Sequence, residues 1–522
     1  MYLVKVIPLD KILRPAGDYF FYASKIYHNY LSLVEIPLRK KKVMGIVLEC
    51  QKIDKEKLDL KKTVNFPLKN ILKVINPHQV LDFKFLQIAQ QTSQKFALPL
   101  GAFLNVFLPK KFLKDGIFSS QVERIYEKRY ENFKIFLDDL QRYKNKNVLI
   151  ALPDNLSSLL ISNLFQKNNI DHLVLIKEKK KSYQENLNLI YKSKITKPIL
   201  AVGHALLNPF PQISEIIIFA EGNHSFEQNF RYPEIDFRIY LEIYAQVMKI
   251  PLIIVDWTPS LRFFKEKIDK EHSSIENYFL PKEKLNLELK TPTVNNLLGI
   301  LKKYEGSFLI ISPKKEHKMI LSLRSLVEKS IFYLLRENKK DFLVFDNLLK
   351  KIKNYILVTT PIILKPINWN FDYAIFLEPE SFLFNFSPMY RLNENFFRIL
   401  SFFKQISQKI ILLTKRPEKL SLFLNFGENQ FYKNELENRK KYGLPPFFIQ
   451  AELSFSAKNE TEAQKKYEKI YQIINEEYFY LKISPLNFEK SPRASFTIVL
   501  NEESLNVLRK IPPYVKIILR YY

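Results

Sequence analysis

Apolar and polar residues alternate in short runs through the first fifty positions, as in LVKVIP, LSLVEIPL and KVMGIVLEC. A period of two, with many β-branched and aromatic residues, is typical of strands that bury one face, so residues 1–50 are predicted to form several antiparallel strands. Residues 81–107 have helical spacing instead, and Pro99 and Gly101 mark a break inside that stretch. The N-terminal region is therefore expected to be a small β-rich domain that ends in helices.

From about Asn147 onward, short apolar runs are separated by polar stretches with helical spacing. A first series of runs is VLIALP, HLVLI, PILAVG, EIIIFA and PLIIVDW, and a second, weaker series is SFLIIS, DFLVFD, YILVTT, YAIFLE and KIILLT. Continuous apolar runs predict strands buried on both faces, as in parallel sheets covered by helices. The two series therefore predict two α/β lobes in tandem.

The segment from Phe431 begins with a charged, helix-like stretch that is halted by Gly443 and by Pro445-Pro446. Strand-like and helix-like pieces alternate after it, which predicts a small α+β domain. The expected fold is thus a multidomain α/β chain with a β-rich N-terminal domain, two lobes with parallel sheets and a C-terminal α+β domain. The expected boundaries of these four units are 1–112, 113–283, 284–429 and 430–522.

The chain contains only 10 glycines among its 522 residues, and the closest pair, Gly299 and Gly306, is seven positions apart. The phosphate-binding loops G-x-x-x-x-G-K-[ST] and G-x-G-x-x-G need glycines at closer spacing, because a side chain would keep the backbone N–H groups from closing round a phosphate. Neither loop occurs in the sequence. A standard nucleotide-hydrolysing site is therefore not expected.

The sequence offers no metal-binding pattern. Cys50 is the single cysteine, which excludes disulfides within the chain and every zinc site built on cysteines. No two of the seven histidines are three or four positions apart, which excludes His pairs on one helix face. We therefore expect neither a metal nor a cofactor. The chain has no apolar run of 18 residues, which predicts a soluble cytoplasmic protein without a membrane partner.

The formal net charge is +27, from 81 Lys and Arg against 54 Asp and Glu. Positive charge favours a polyanionic partner, because Lys and Arg neutralise phosphates and release counterions. AT-biased coding would raise lysine everywhere and explains the total charge equally well. The charge is unevenly spread, however, since residues 1–112 contain 19 Lys and Arg against 8 Asp and Glu. The N-terminal region is therefore the better candidate for binding nucleic acid.

Four consecutive cations, Arg39, Lys40, Lys41 and Lys42, lie between two of the predicted strands. On a turn beside a sheet, such a run can hold a phosphate backbone. A solvated hairpin loop is the alternative interpretation of a single run of charge. Both interpretations stay open on the sequence alone.

Several short motifs occur in a fixed order along most of the chain. They are PLRKKKVMG at 37–45, NPFP at 208–211 before an acidic end at 215–221, DWTPS at 256–260, and FYKNELENRKKYGLPPF at 431–447. Their order resembles the primosomal replication-restart helicase family (primosomal protein N-prime). In the last motif the residues that match the family pattern are Phe431, Tyr432, Glu435, Leu436, Arg439, Gly443, Pro445, Pro446 and Phe447. The resemblance implies a 3′-DNA-binding-like N-terminal domain followed by two helicase lobes.

Three parts of that family's ATP-hydrolysing machinery have no counterpart here. Residues 126–130 stand where the family carries its phosphate loop, and they include no glycine. The family's metal-binding Asp-Glu-Glu-His corresponds to 220–223, where Ala220 replaces the first acid and Glu221 is the vestige of the motif. No arginine lies within 401–409, the place of the family's catalytic arginine, and its zinc-binding cysteines are absent. Because phosphoryl transfer depends on positioning and charge stabilisation, the resemblance implies degenerate lobes without catalytic residues, a pseudoenzyme.

The family's Phe-Asp-Tyr, which contacts the 3′ end of DNA, corresponds to residues 20–22, where Phe21 replaces the acid. Lys69 belongs to a Leu-Lys pair that the family also carries. The resemblance implies that Lys69 contacts phosphate and that Tyr22 stacks on a base. The expected DNA-binding residues are therefore Tyr22, Arg39, Lys40, Lys41, Lys42 and Lys69.

The leading hypothesis is a DNA-binding, helicase-like protein that acts on branched or single-stranded DNA in replication restart without hydrolysing ATP. Replication or primosome proteins are its further expected partners. Two alternatives stay open: an active ATP-dependent DNA helicase with a non-standard nucleotide site, and a protein-interaction scaffold without a nucleic-acid role. The preferred DNA structure and the oligomeric state are also left open by the sequence.

Overall fold

A computed structural model of the protein contains four β-sheets that follow one another along the described residues, with helices packed against them. The first and last sheets are antiparallel, and the two middle sheets are parallel. This arrangement confirms the expected multidomain α/β fold class. The residues that the structure describes are 1–10, 17–53, 68–108, 125–176, 180–192, 196–227, 234–271, 287–313, 317–323, 327, 329–334, 352, 354–360, 369–383, 391–417, 420, 428–488 and 493–522.

The N-terminal sheet consists of β1 (Tyr2–Pro8), β2 (Phe20–Ser24), β3 (Leu33–Leu38), β4 (Lys41–Lys52) and β5 (Lys73–Asn76). Its strands are antiparallel in the order β2-β1-β4-β3-β5, as the alternating pattern predicts. The backbone before β5 links β2 to β3: the Ala23 amide donates to the Lys69 carbonyl, and the Leu72 amide donates to the Glu35 carbonyl, both at 2.9 Å. The sheet is therefore curled around a small apolar core on its inner face.

Two helices, α1 (Phe83–Lys95) and α2 (Leu100–Phe107), pack on the N-terminal sheet, and the break between them lies where the sequence predicts it. Asp82 fixes the start of α1, because its side chain accepts a hydrogen bond from the Lys84 amide (2.8 Å). Gly101 lets α2 lie directly against β1, since a Cβ at this position would stand 2.1 Å from the Pro8 carbonyl oxygen.

The second sheet consists of β6 (Lys128–Asn132), β7 (Val148–Leu152), β8 (Leu173–Leu175), β9 (Ile199–Val202), β10 (Glu215–Phe219) and β11 (Leu252–Asp256). These strands are parallel in the order β6-β11-β10-β7-β9-β8. The five apolar runs of the first series are confirmed as β7 to β11, whereas β6, a polar edge strand, was not predicted. The helices of this first lobe are α3 (Phe133–Asp138), α4 (Asn155–Lys167), α5 (Lys180–Lys192), α6 (Phe237–Met248) and α7 (Leu261–Glu271).

The third sheet consists of β12 (Leu287–Lys290), β13 (Phe308–Ile311), β14 (Ser330–Leu334), β15 (Tyr355–Thr359), β16 (Phe371–Leu377) and β17 (Ser407–Leu413). These strands are parallel in the order β12-β17-β16-β13-β15-β14. Four of the predicted runs are confirmed as β13, β15, β16 and β17, and DFLVFD lies outside the described residues. The helices of this second lobe are α8 (Val294–Lys303), α9 (Lys318–Leu323), α10 (Glu380–Leu383) and α11 (Leu392–Ile406).

The C-terminal region begins with α12 (Glu428–Tyr442), which ends at Gly443 in a left-handed conformation (φ +68°), as the sequence predicts. The elements that follow are β18 (Ile449–Ser456), α13 (Glu460–Asn475), β19 (Lys482–Ile483), β20 (Asn487–Phe488), β21 (Arg493–Leu500), a 3-10 helix (Glu503–Lys510) and β22 (Lys516–Arg520). Their antiparallel sheet has the order β19-β21-β18-β22, with β20 also on β21. Within the described residues, no helix has both the length and the apolar composition needed to cross a membrane.

Gly101→Ala is expected to lower the free energy of unfolding by about 1–3 kcal/mol, because the added Cβ forces the Pro8 backbone to shift. Gly299 is the matched control, since it lies within α8 and an added Cβ meets no atom within 4 Å. Gly299→Ala is expected to raise the free energy of unfolding by about 0.5–1 kcal/mol through helix propensity. Urea unfolding followed by circular dichroism measures both changes, and effects of the same sign would contradict this account of Gly101.

Candidate nucleic-acid interface and acidic-motif site

The basic run at residues 39–42 forms a hairpin between β3 and β4. Arg39 (φ +53°) and Lys40 make the two-residue turn, and Lys41 and Lys42 open β4 opposite Leu38 and Pro37. All four cationic side chains are exposed, and no ion pair with a described residue involves them. The hairpin therefore presents four neighbouring positive charges to solvent, which fits both a phosphate-binding role and a solvated loop.

Lys69 and Tyr22 are brought to the same part of the sheet but differ in exposure. Lys69 is exposed, and its backbone pairs with Ala23 of β2 (2.9 Å). Tyr22 is only 3% exposed, and its hydroxyl donates to the carbonyl of Pro37 (3.3 Å) at the base of the hairpin. Burial raises the pKa of Tyr22 to about 12. Because a base can stack only on an accessible ring, the stacking role expected for Tyr22 does not fit this placement.

A ring and a cation on the outer face of the N-terminal sheet were missed by the sequence analysis. The ammonium of Lys5 lies 3.9 Å from the centroid of the Tyr19 ring, which is 43% exposed. Tyr19 also contacts the Phe21 ring edge to face, and Phe21 lies opposite Lys5 in the β1–β2 register. An exposed ring beside a cation is suited to holding an unstacked base. The available signal was strand alternation, which puts Tyr19 and Phe21 on the face opposite Tyr22.

A strand joins a helix directly at the place where the sequence analysis expects the counterpart of the family's phosphate loop. Residues 128–130, the end of the segment expected to replace the loop, belong to β6, which pairs with β11 from Lys128–Leu252 to Asn132–Asp256. Helix α3 begins at the next residue, with the Asn132 side chain accepting from the Lys134 amide (2.9 Å) as its cap. No residue is left between the two elements to wrap round a phosphate.

The acidic-motif vestige, Glu221, is fully buried just beyond the carboxyl end of β10. Neither of its carboxylate oxygens accepts a well-formed hydrogen bond from a described residue. Burial raises the pKa of Glu221, an effect that Lys128, Ser260 and Arg238 partly oppose and Asp256 reinforces. Without contact with solvent, this carboxyl is not placed as an open metal ligand.

An arginine of the second lobe covers the acidic motif. Arg398 of α11 pairs with the carboxylate of Asp256, the last residue of β11, which also accepts from the Gly222 amide (3.1 Å). A Cβ on residue 222 would stand 0.9 Å from Arg398 Nη1, so glycine is required for the guanidinium to lie here. The positive charge of Arg398 therefore lies beside residues 220–223, the stretch that the sequence analysis expects to correspond to the family's acidic motif.

A single buried carboxylate, Glu227, joins three parts of the chain. It accepts from Arg238 of α6 (2.9 Å), from Arg391 before α11 (2.7 Å) and from Arg520 of β22 (3.5 Å). Its side chain is 7% exposed, and Arg238 is fully buried. A further carboxylate, Asp236, pairs with Arg238. The first lobe, the second lobe and the C-terminal sheet therefore meet at one ion cluster, which we call the Glu227 cluster.

Aromatic contacts reinforce the same junction. Phe397 of α11 stacks on Phe431 of α12 with ring centroids 4.5 Å apart. The neighbouring Tyr432 is buried, and its hydroxyl bonds Thr258 Oγ1 (2.9 Å) and the Pro259 carbonyl (2.5 Å) of the first lobe. The start of α12, which carries the Phe-Tyr motif, therefore contacts both lobes: Phe431 packs on the second lobe, and Tyr432 bonds to the first.

Comparison with known proteins agrees with the resemblance. Residues 11–109 match the family described as PriA 3'DNA-binding domain (3'BD). Replication restart protein PriA of Helicobacter pylori strain ATCC 700392 / 26695 is 24% identical over 339 residues, which cover 58% of this chain and 51% of that protein. PriA of H. pylori strain J99 is 24% identical over 359 residues, covering 62% and 51%. The chain thus spans about half the length of these curated relatives.

Solved helicase structures show only distant similarity. S. cerevisiae dbp5 bound to gle1 and ip6 is 11% identical, with 75% of this chain and 98% of that chain covered, at a TM-score of 0.35. Mycobacterium smegmatis helicase Lhr bound to ssDNA and AMP-PNP is 10% identical, with 54% and 42% covered, at a TM-score of 0.31. Similarity at this level has no bearing on function. The fold and the matched domain define a protein with a 3'DNA-binding-type N-terminal domain ahead of two parallel-sheet lobes. Within that class, the chain is similar to replication restart protein PriA over about half the length of that protein.

Glu227→Gln is expected to lower the free energy of unfolding by up to about 3–5 kcal/mol, because the ion pair of Arg391 with the first lobe loses its charge. Arg238 and Arg520 also lose one carboxylate, although Arg238 keeps Asp236 and Arg520 keeps Glu452. Asp171→Asn is the matched control, since Asp171 pairs with Lys197 in an exposed ion pair. Breaking such an exposed pair costs about 0–1 kcal/mol. Differential scanning calorimetry measures both variants, and equal losses would show that the Glu227 cluster has no special weight.

Glu221→Gln is expected to stabilise the protein at high pH. Since burial raises the pKa of Glu221, the stability that its bound proton confers is complete below the unfolded-state pKa, about 4.3, and is lost as pH rises through the raised folded value. The amide removes that loss, and each unit of raised pKa corresponds to about 1.4 kcal/mol. Thermal melts between pH 4 and pH 8 should show an advantage that shrinks toward low pH. Glu437→Gln, on the exposed face of α12, is the control, and an advantage independent of pH would refute this explanation.

Proposed function

We propose that the protein binds branched or single-stranded DNA in replication restart and does not hydrolyse ATP. The single observation that carries the absence of ATP hydrolysis is the β6–α3 junction, where strand and helix meet with no residues between them to hold a phosphate. DNA binding is supported by the 3'DNA-binding domain match over residues 11–109 and by the exposed cations within it.

The proposed DNA contact lies on the N-terminal sheet. Arg39 to Lys42 and Lys69 supply exposed charge for the phosphate backbone, which would account for most of the affinity. Tyr19, with Lys5 against its ring, replaces Tyr22 as the proposed stacking residue, because its ring is accessible. Backbone contacts with a single stacking ring favour DNA structure over sequence as the feature that is recognised.

The absence of ATP hydrolysis is argued from the acidic motif. Hydrolysis needs a metal ion and positive charge around the transferred phosphate. Here Glu221 is buried, and Asp256 is already neutralised by Arg398. The guanidinium of Arg398 lies within bonding distance of a carboxylate of this chain instead of a phosphate. We therefore assign the two lobes a structural role, as a support that holds the N-terminal sheet and the C-terminal region in place.

The units that carry this function are proposed as 1–112 for the DNA contact, 113–283 and 284–429 for the two lobes, and 430–522 for the C-terminal domain. Each range contains one of the four sheets, which supports the division. Primosome or other replication proteins are the proposed partners, and the cytoplasm, where such complexes meet the chromosome, is the proposed location.

Neutralising the hairpin is expected to weaken binding to fork DNA by more than about tenfold and to make the affinity less steeply salt-dependent, since each lost phosphate contact reduces the slope by about one. The variant replaces all four cations at 39–42 by Gln. Its control removes the same charge from exposed lysines of the C-terminal region, namely Lys440, Lys441, Lys465 and Lys469. Fluorescence anisotropy at several salt concentrations measures the binding.

The parent protein in the same experiment separates the remaining hypotheses. If the parent protein does not bind fork DNA even at low salt, the proposed DNA binding is wrong. That result would favour the alternative of a protein-interaction scaffold without a nucleic-acid role. If hairpin and control variants weaken binding equally, the contact is non-specific attraction by the total charge. Phosphate release from ATP, measured with and without fork DNA, should stay at background, and DNA-stimulated release would establish an active helicase with a non-standard site.

A further inference from the structure

A cavity of about 330 Å³ lies in the first lobe beside its edge strand, β8. Its walls come from the second half of α4, from the turn that leads into β8, and from the first two turns of α5. That turn lies at the amino end of the parallel strands, whereas Glu221 lies beyond their carboxyl end. The cavity is therefore separate from the acidic-motif site.

A serine and a histidine of the cavity wall form a hydrogen bond. Ser162 Oγ of α4 lies 2.7 Å from Nε2 of His172, the residue before β8. The other ring nitrogen, His172 Nδ1, lies 2.9 Å from the carbonyl oxygen of Ile170. Because a carbonyl can only accept, Nδ1 carries the proton, and the neutral ring has its lone pair on Nε2. The Ser162 hydroxyl therefore donates to Nε2, the arrangement in which a histidine takes a proton from a serine.

The imidazole ring is fixed in this orientation and is also accessible. The ring of Phe165 meets the His172 ring edge to face, with centroids 5.5 Å apart. Ser162 and His172 are both half-buried, and both line the cavity. A small molecule in the cavity can therefore reach the serine hydroxyl while the histidine stays in place.

A second pair of the same kind in the N-terminal sheet differs in access. Ser24 Oγ also lies 2.7 Å from a histidine Nε2, that of His28, but His28 is only 3% exposed. Ser24 Oγ also accepts from the Ile26 amide (3.2 Å), which gives the pair a structural role in the turn after β2. The Ser24–His28 pair therefore provides an internal control for the pair in the cavity.

Two amide side chains in the cavity wall can donate hydrogen bonds to a bound carbonyl. Gln166 lies one helical turn after Ser162, so the two side chains are on the same face of α4. Asn186 Nδ2 donates one hydrogen to the Val174 carbonyl (2.9 Å), and the same nitrogen has a second hydrogen. N–H donors of this kind stabilise the oxyanion that forms when a serine attacks a carbonyl carbon.

The rest of the wall favours a small, uncharged substrate. Ile170, Leu173 and Val174 contribute aliphatic surface. The carboxylate of Asp171 is paired with Lys197, so it leaves no unbalanced charge beside the cavity. A volume of about 330 Å³ is at the lower end of the range for ligand pockets, which suits a short acyl chain.

We propose that this cavity is a serine esterase site for short-chain carboxylic esters, with Ser162 as the nucleophile and His172 as the general base. Ser162 Oγ attacks the carbonyl carbon of the ester while its proton passes to His172 Nε2. The bond between the carbonyl carbon and the alcohol oxygen then breaks, and the alcohol leaves with that proton. Water next gives a proton to Nε2 and attacks the acyl-serine, which releases the carboxylic acid and returns the proton to Ser162. The reaction uses no residue of the N-terminal sheet, so it is independent of the proposed DNA binding.

Hydrolysis of p-nitrophenyl acetate by the full chain tests the proposal. The parent is expected to release p-nitrophenolate over many turnovers, and Ser162→Ala and His172→Gln are each expected to lower kcat/KM at least about 100-fold. Ser24→Ala is the matched control, since it removes a hydroxyl from the other Ser–His pair, and it is expected to leave kcat/KM unchanged. All variants are purified in parallel, and thermal melts show whether each is folded.

Covalent labelling of the parent gives a second readout that needs no variant. A fluorophosphonate reacts with an activated serine, and mass spectrometry of the digested protein is expected to find the label on Ser162. The proposal is wrong if the parent shows no hydrolysis above buffer, or if the label is found on a different residue. Hydrolysis that persists in folded Ser162→Ala, or that falls equally in Ser24→Ala, would also overturn it.

Discussion

The arrangement of the larger units depends on the pairing of buried charge at Glu227. One carboxylate receives Arg238, Arg391 and Arg520, which come from the two lobes and from the last strand. Ions at this depth are tolerated only when they are paired, because an isolated buried charge costs several kcal/mol. Each arginine therefore fixes its own element relative to Glu227. Three segments that are far apart in sequence are thereby held at fixed positions relative to one another.

This constraint bears on whether the lobes can move. Domain closure in an enzyme requires an interface that separates and re-forms at small cost. Here separation would break the pair between Arg398 and Asp256 and the pair between Arg391 and Glu227, and it would expose the stacked rings of Phe397 and Phe431. We infer that the two lobes act as one rigid body. A rigid pair of parallel sheets also sets the position of the N-terminal region, since α1 packs against α6 of the first lobe.

Hydrophobic periodicity was sufficient to predict most strands, because central strands of the parallel sheets are buried on both faces and the long strands of the antiparallel sheets bury alternate residues. The strands that were missed are β6, β12 and β14 at the edges of the parallel sheets and the short strands β5, β19 and β20 of the antiparallel sheets. The cationic hairpin was also predictable, since turn and charge are local features. The burial of Tyr22 was not, because it depends on the curl that Lys69 and Ala23 impose on the sheet. The ion pair between Arg398 and Asp256 could not be predicted either, because the two residues are far apart in sequence and no local pattern links them.

Three glycines are required because another group occupies the space of their missing side chain, and the one in the acidic motif makes room for an arginine. Residue 45 must be glycine because a Cβ would stand 2.5 Å from Val6, and residue 101 because it would meet the Pro8 carbonyl. At Gly222 the group that needs the space is the guanidinium of Arg398, a side chain of this same protein. A glycine beside a nucleotide would make room for a ligand, whereas this one makes room for the ion pair of Arg398 with Asp256. The space that the missing side chain leaves at residue 222 is thus filled by an ion pair that links the second lobe to the first.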